Sequence, residues 1–295
     1  MSNILKGAYD LHVHSGPDIM PRKFDDLEMA ERIKESGMAG YVLKSHYFNT
    51  AQRGYLVNKV TPECNCIGAI ALNQSVGGIN SIAVEMAARS GAKIVWFPTT
   101  DSENEISHVM TGDPNKKLPY WAKIVKDLKD ENIEIPTITI LKDGKLTDDT
   151  IKVIDTIAKY NIILATGHLS HEETFALVEE AQKRGVKKII ITHVDFPTTY
   201  YSVEDQKKLA EFGAYMEHCY VTWKSGKVDF AETARQIREL TPDKVILATD
   251  LGQSNNVYPD EGLLEFAERL INEEGFTEAD IRKMIVENPS KLLAE

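Results

Sequence analysis

The sequence predicts a (β/α)8 TIM barrel with a β-hairpin excursion between strands 4 and 5, and three observations support this. The chain of 295 residues is close to the length of a single α/β barrel, which typically takes about 250 residues. Short apolar segments alternate with amphipathic helical segments, and this alternation is typical of a parallel sheet. Most of the apolar segments are continuous runs, as expected for strands buried on both faces. We therefore expect one domain over residues 1–295.

Eight strand segments can be identified, and helical segments lie between them. The strands are Y-D-L-H-V-H, G-Y-V-L-K-S-H, C-I-G-A-I-A-L-N, A-K-I-V-W-F-P, N-I-I-L-A-T-G-H, K-K-I-I-I-T-H, A-Y-M-E-H-C and K-V-I-L-A-T-D. Helix ends are visible as well. One helix is predicted to run from a cap at Asp25 or Asp26 to Gly37, and another is predicted to end at Gly185.

The interval between the fourth and fifth strands is longer than the others. It holds a predicted helix around Pro119 to Asp130, a strand-like run I-P-T-I-T-I-L, and K-D-G-K, whose Asp-Gly pair is a hairpin signal. We interpret Ile135 to Leu146 as an excursion outside the barrel. The alternative counts this run as a barrel strand. It is disfavoured because the run ends in a tight turn, whereas the other strands tend to end in polar side chains.

Composition limits the environment and the partners. The formal net charge of −11 disfavours a nucleic-acid partner, because phosphates would be repelled. No apolar run approaches the roughly 20 residues that cross a bilayer, and the start of the chain does not resemble a secretory signal. Three cysteines make a poor disulfide framework. We expect a soluble, cytoplasmic protein with no membrane partner, and a homo-oligomer is compatible with the sequence.

Side chains that can bind a metal recur where the predicted strands end. In an α/β barrel these carboxyl ends form one rim, so residues at the rim converge on one site. Neutral imidazoles and carboxylates are the ligands that zinc and similar divalent ions prefer. The residues are His12 and His14 on the first strand, Lys44 and His46 on the second, His168 on the fifth, His193 on the sixth, Glu217 and His218 on the seventh, and Asp250 on the eighth.

This ordered set resembles the metal-dependent amidohydrolase superfamily. The similar motifs are H-x-H at the first strand, T-G-H at the fifth, T-H at the sixth and T-D at the eighth, with A-D-I-R-K-M-I-V-E-N-P-S-K-L-L as the closing helix. The chain lacks an appended β-sandwich and is therefore most similar to the compact phosphotriesterase-like and TatD-like hydrolases and to related decarboxylases. The resemblance implies that residues 1–295 form a single metal-dependent hydrolase barrel domain.

The resemblance also implies a role for each matching residue. His12 and His14 would hold the more buried metal ion together with Asp250, and His168 and His193 would hold a second, more exposed ion. The cofactor would be one or two divalent metal ions, zinc first among them. A metal-bound hydroxide would attack the substrate, and Asp250 would accept the proton and pass it to the leaving group.

The sequence departs from the family at the fourth strand. Two-metal members usually place a carboxylated lysine or a glutamate there as a bridge, but this strand ends K-I-V-W-F-P. We expect a carboxylated Lys44 to replace that bridge, with Glu217 as a weaker candidate. The alternative is a cationic Lys44 that binds a substrate anion beside a single metal ion. His46, which faces the same side as Lys44, would bind the exposed ion or polarise the substrate.

Several further polar residues are candidates for the surface or for substrate contact. Because Glu217 and His218 alternate along their strand, only one of them can face the barrel interior. His171 is expected to open a helix at the surface, and His108 to lie in a polar loop. Loop residues that could bind a carboxylate or phosphate, or line the same pocket, are Arg22, Lys23, Tyr47, Arg53, Asp195, Tyr200 and Tyr201.

Taken together, these features predict a metal-dependent hydrolase that acts on an amide, ester, lactone or phosphoester of a small molecule. The alternative is a non-oxidative metal-dependent decarboxylase on the same scaffold, which the missing fourth-strand bridge favours. A third hypothesis is a barrel that binds a ligand without turnover. A complete ligand set opposes it, because idle polar ligands are costly to keep in a protein core.

Overall fold

The computed structural model describes residues 4–112 and 118–294, and its central feature is an eight-stranded parallel sheet. The strands follow chain order around the sheet, and a short hairpin between the fourth and fifth barrel strands lies outside it. The barrel strands are β1 (Tyr9–Val13), β2 (Gly40–Leu43), β3 (Asn65–Ala71), β4 (Ile94–Trp96), β7 (Ile163–Ala165), β8 (Ile189–Ile191), β9 (Tyr215–Cys219) and β10 (Val245–Ala248). All eight predicted strands are therefore confirmed.

The sheet closes where β10 meets β1. The backbone N–H of Asp250 donates to the carbonyl of His12 at 2.8 Å, and the N–H of His14 donates to the carbonyl of Leu251 at 2.8 Å. These bonds lie at the carboxyl ends of the two strands. Closure therefore brings the predicted rim residues of the first and last strands together.

Helices follow the barrel strands and for the most part cover the outer face of the barrel. They are α1 (Asp26–Ser36), α2 (Ala51–Val60), α3 (Ser81–Arg89), α4 (Glu103–Val109), α5 (Tyr120–Asp130), α6 (Asp148–Tyr160), α7 (His171–Lys183), α8 (Val203–Glu211), α9 (Tyr220–Lys224), α10 (Phe230–Leu240), α11 (Pro259–Glu274), α12 (Glu278–Arg282) and α13 (Asn288–Leu293). A π-helical turn over Lys283–Glu287 joins α12 to α13.

The ends of α1 show how local sequence sets these boundaries. Asp25 caps the first turn by accepting hydrogen bonds from the backbone N–H groups of Leu27 and Glu28, and the Glu28 side chain returns a bond to the N–H of Asp25. Gly37 ends the helix in the left-handed conformation, with φ of 76°. Both predicted boundaries of this helix are confirmed.

The apolar core has two layers. Inside the barrel, side chains such as Leu11, Ile94 and Trp96 form a small cluster, which Leu292 of α13 joins. The larger layer lies between the barrel and the surrounding helices. Every residue named here is almost fully buried. The filled interior leaves the rim at the carboxyl ends as the place for an open site.

The excursion between β4 and β7 is confirmed, but the predicted strand within it is largely wrong. The hairpin strands β5 (Leu141–Lys142) and β6 (Lys145–Leu146) are two residues long and antiparallel, and they turn at Asp143 and Gly144. The preceding residues are not a strand. Ile138 instead makes an isolated bridge with Ser102, because no neighbouring strand is available to pair with the run. Among the described residues, no helix is both long and apolar enough to cross a membrane.

Helix α2 approaches β3 very closely, and small residues permit this. A Cβ built on Gly68 would lie 2.3 Å from the Cα of Ala51, far closer than real Cβ atoms approach backbone. Gly54 of α2 faces the same strand, with only 3.1 Å between a built Cβ and the carbonyl oxygen of Cys66. The position of α2 therefore depends on the absence of side chains at this contact.

We expect Gly68→Ala to lower the free energy of unfolding by about 2 to 3 kcal/mol, because the helix must shift to admit the methyl group. Thermal and urea denaturation measure the effect. Gly185→Ala is the matched control. A Cβ there meets no atom within 4 Å, so only the left-handed backbone opposes it, at about 1 kcal/mol. Equal losses for the two variants would contradict the close-packing argument.

Candidate metal centre

The structure brings most of the predicted rim residues together in one place. Six of them line a single cavity of about 480 Å³ at the carboxyl ends of the strands, and His12 lies fully buried beneath it. The six lining residues are His14, Lys44, His46, His168, His193 and Asp250.

His12, His14 and Asp250 form the tightest group. The Oδ1 atom of Asp250 lies 3.2 Å from Nε2 of His12 and 3.1 Å from Nε2 of His14. Ligand atoms of these three residues lie within 4.8 Å of one another, close enough to share one ion. Two imidazoles and a carboxylate are a suitable donor set for a zinc-like ion with an open position.

The other nitrogen of His12 faces a carboxylate. Both oxygens of Glu217 lie 3.2 Å from Nδ1 of His12, and Oε2 also accepts the backbone N–H of His193 at 3.3 Å. Glu217 is fully buried, and the Sγ of Cys219 approaches the same Nδ1 at 3.9 Å. His12, His193, Glu217 and Cys219 form a second possible ligand group. We favour the Asp250 side for a metal because that side faces the cavity.

Lys44 extends into the middle of this cluster. Its Nζ lies 2.8 Å from Nε2 of His12 and 4.9 Å from the ring centre of Trp96. The side chain is almost completely buried, and this burial lowers the pKa of Lys44, although Asp250 and Glu217 oppose the shift. A buried amine is thus held where the sequence suggested a bridge between two ions.

Three more histidines line the cavity wall. His46 stacks on His14 with ring centres 4.8 Å apart, and its Nδ1 bonds the hydroxyl of Thr99 at 2.9 Å. The rings of His168 and His193 lie 5.4 Å apart, and Nε2 of His193 lies 3.6 Å from Oδ2 of Asp250. Nε2 of His168 and Nδ1 of His193 have no hydrogen-bond partner among the described residues. Buried, unpartnered imidazole nitrogens suit a metal ion.

Most of these groups are held in the protonation state that binds a metal ion. Burial holds the pKa values of His14, His46 and His193 well below their usual value, so these imidazoles are neutral near pH 7. Burial alone would raise the pKa of Asp250. His12 and a hydrogen bond from His14 oppose this and hold that pKa well below its usual range. Asp250 is therefore an ionised carboxylate.

A bulge in β1 turns His12 toward the site. Asp10 pairs with Tyr41 and Val13 with Leu43, so two residues of β1 lie opposite one residue of β2. Leu11 joins the interior cluster, and His12 also faces inward, with its ring 5.4 Å from that of Trp96. Alternation alone would send one of the two to the outer face.

Asp10 stabilises the bulge. Its Oδ1 accepts the backbone N–H groups of His12 and Thr249, each at 3.1 Å, and its Oδ2 lies 2.5 Å from the hydroxyl of Thr249. Burial raises the pKa of Asp10 to about 7. The threonine of the T-D motif thus fastens β10 to β1 beside the site.

The threonines of the T-G-H and T-H motifs have a similar role. The hydroxyl of Thr166 accepts the N–H of Thr192 at 3.0 Å, and the hydroxyl of Thr192 accepts the N–H of Gly167 at 3.2 Å. These bonds join the ends of β7 and β8. They hold the backbone just before His168 and His193. His193 itself adopts a left-handed backbone with φ of 54°, which is strained for a residue with a side chain.

Glu105 is a site residue that the sequence analysis missed. It follows β4 on helix α4, and its Oε2 lies 3.4 Å from Nδ1 of His168 and accepts the Thr198 hydroxyl at 2.7 Å. Although Glu105 is buried, His168 and Thr198 hold its pKa below the usual value. The fourth strand itself has no carboxylate at its end, as expected. A carboxylate reaches the cavity one helix later, and the strand-end criterion could not find it.

Of the two arginines predicted to contact the substrate, only one reaches the cavity. Arg22 lines the cavity, with its guanidinium bound to Asp18 and 3.3 Å from Nδ1 of His14. Arg53 instead bonds Asp26 and a backbone carbonyl behind the site.

The remaining loop candidates do not contribute to the cavity wall. Lys23, Tyr47, Asp195, Tyr200 and Tyr201 are not among its lining residues.

Glu217 and His218 on the seventh barrel strand point in opposite directions, as the alternation of side chains requires. Glu217 faces the barrel interior, whereas His218 faces outward and bonds Asp195 at 3.0 Å. His171 opens α7 and is exposed, as expected. The prediction for His108 is wrong in part: it is exposed, but it lies in α4 rather than in a loop, because Glu103 to Val109 form a helical turn.

Comparison with known proteins gives one family and a shared fold. The model of a family described as "Family of unknown function (DUF6282)" matches residues 7–217. No curated protein is significantly similar in sequence. Among solved structures, an amidohydrolase from Pseudomonas aeruginosa has a TM-score of 0.65 at 13% identity, covering 99% of this chain and 96% of its own.

Two further structures have the same fold. A putative 2-pyrone-4,6-dicarboxylic acid hydrolase from Pseudomonas putida has a TM-score of 0.60 at 13% identity and covers 97% of each chain. A TatD homologue from Escherichia coli has a TM-score of 0.59 at 10% identity and covers 99% of each chain. At these identities the likeness shows the fold alone. The predicted resemblance to the amidohydrolase superfamily is therefore confirmed as a resemblance of fold.

We expect Asp10→Ala to lower the free energy of unfolding by about 2 to 3 kcal/mol, because two buried backbone N–H groups and the Thr249 hydroxyl lose their partner. Chemical denaturation measures this. Asp10→Asn keeps the Oδ1 acceptor for both N–H groups and should recover most of the loss. If Asp10→Ala were as stable as the unmodified protein, Asp10 would not be what holds the bulge.

Proposed function

The chain belongs to the family of unknown function DUF6282, and from its site we propose that it is a metal-dependent hydrolase acting on a small molecule. The observation that carries the proposal is the group of neutral, buried imidazoles around an ionised Asp250 at the floor of an open cavity. Such a group is costly to bury unless it binds something. The shared fold with amidohydrolases supports the assignment.

The ligand assignment follows from the distances. His12, His14 and Asp250 would hold the first ion, because their donor atoms converge. His168 and His193 would hold a second, since His193 lies beside both Asp250 and His168 and each ring has a nitrogen without a hydrogen-bond partner among the described residues. Zinc fits a donor set dominated by imidazole nitrogen. We take the metal to be zinc.

A bound divalent ion would acidify water and polarise the carbonyl or phosphoryl group of a substrate. The remaining chemistry belongs to side chains. Asp250 is ionised and borders the cavity, so it can accept a proton from an attacking water and return it to the leaving group. His46, whose Nδ1 is engaged by Thr99, can present Nε2 to the substrate. The bond that breaks would be that of an amide, ester, lactone or phosphoester.

Lys44 would serve this site as a carboxylated bridge between two ions. Its Nζ lies beside His12 and among the proposed ligands, and an ammonium there would repel dications. The alternative is an unmodified Lys44 that contacts a substrate anion beside one ion. An unmodified Lys44 beside a single ion favours a second candidate function, non-oxidative decarboxylation. The supporting observation is that the end of β4 presents Trp96 to the barrel interior rather than a bridging residue.

We expect Asp250→Asn to reduce kcat at least about 100-fold while the chain keeps its fold, because the proton acceptor is lost. The assay is a panel of esters, lactones, amides, phosphoesters and aromatic carboxylates with zinc-supplemented protein. Asp143→Asn, in the β5–β6 turn, is the control and should retain full activity. Turnover of the panel by Asp250→Asn at the unmodified rate would remove Asp250 as the acceptor. Release of carbon dioxide alone would favour the decarboxylase.

We expect a carbamate signal in the ¹³C NMR spectrum of protein incubated with labelled bicarbonate and zinc, because the buried Lys44 amine would be the modified group. Lys44→Met should abolish the signal. Lys93→Met, which changes an exposed lysine at the opposite end of the barrel, should leave it unchanged. A spectrum without the signal in the unmodified protein would favour the single-ion arrangement.

A further inference from the structure

A second cavity opens directly beside the candidate metal centre. Its volume is about 510 Å³, and it shares part of its wall with the first cavity. The shared residues are Glu105, Pro119, Trp121, Phe196 and Lys227. A molecule placed over Asp250 could therefore extend into the second space. The two volumes together exceed what a small polar substrate such as acetate would fill.

The walls of the second cavity are largely apolar. Val109, Trp121, Phe196 and Pro197 all contribute to it. Val109 is buried but belongs to neither of the two hydrophobic clusters of the core. A buried apolar side chain that faces a cavity rather than the core is suited to contact an apolar group of a ligand. A ring or branched alkyl group fits both the volume and this surface.

Lys227 stands where the two cavities meet. Its Nζ lies 3.9 Å from the ring centre of Phe196, and it forms no ion pair with a described residue. The other cations of the first cavity are engaged, since Arg22 is bound to Asp18 and Lys44 contacts His12. Partial burial lowers the pKa of Lys227, while Asp250 and Glu105 oppose the shift. Because Lys227 borders both cavities and has no ion-pair partner among the described residues, its side chain can contact a ligand.

The cavity wall also favours one type of anion. Lys227 offers one compact positive charge rather than the fork with which arginine binds phosphate. The side chain of Glu105 lies in the same wall, and a carboxylate there would repel a dianion more strongly than a monoanion. A carboxylate therefore fits this position better than a phosphate.

We propose that the substrate is an amphiphilic carboxylic acid derivative, with its carboxylate on Lys227, its apolar group in the second cavity and its scissile bond over Asp250. The proposal rests on the proposed hydrolase function for the scissile bond. The carboxylate and apolar contacts themselves are binding properties that need no turnover.

Isothermal titration calorimetry on the zinc-supplemented protein tests the proposal with three probes: phenylacetate, the neutral phenethyl alcohol, and acetate, which lacks the ring. We expect phenylacetate to bind at least about tenfold more tightly than either of the others. Lys227→Met should abolish the preference for phenylacetate over the alcohol. Lys93→Met removes the same charge at the far end of the barrel and should retain the preference.

A second variant tests the apolar contact. Val109→Phe should project a ring into the second cavity and reduce the preference of phenylacetate over acetate, while leaving the requirement for Lys227 unchanged. Full preference for the carboxylate in Lys227→Met would overturn the proposal, because a metal ion or another cation would then hold the anion. Equal binding of all three probes to the unmodified protein would also overturn it. Failure of the hydrolase proposal would instead appear as absent turnover with these binding ratios intact.

Discussion

Glu217 holds His12 with both carboxylate oxygens 3.2 Å from Nδ1, and this contact fixes which nitrogen of His12 faces the cavity. The carboxylate favours a proton on Nδ1, so the lone pair of Nε2 is directed toward Asp250 and Lys44. Without this contact the ring could turn or change tautomer, and the donor atoms would no longer converge. The proposed metal chemistry therefore depends on a carboxylate that does not face the substrate.

The barrel makes this contact available by bringing distant segments together. His12 and Glu217 are 205 residues apart in the chain, and the bulge in β1 allows the imidazole to reach the interior. Asp10 and Thr249 then tie β1 to β10, and Thr166 and Thr192 tie β7 to β8. The rim is thus held by hydrogen bonds just outside the ligands. A metal site needs backbone held in this way to keep its ligands converged.

Much of this could be predicted from the sequence, for a physical reason. Parallel strands are continuous apolar runs, and their polar ends must share one rim, so His14, His193 and Asp250 could be placed together without coordinates. The bulge could not, because it depends on a backbone register between β1 and β2. Glu105 was missed because it reaches the cavity from a helix. The strand expected before the hairpin did not form, since the fold offers it no neighbour to pair with.

Metal content per chain tests most directly whether the clustered imidazoles and Asp250 are a metal centre. Elemental analysis of protein purified without chelator and then supplemented with zinc should find at least about one ion per chain. His14→Ala should lose the ion, because one of the converging donors is gone. His171→Ala, an exposed histidine at the start of α7, should retain it. An unmodified protein that contains no metal and takes up none would contradict the central claim.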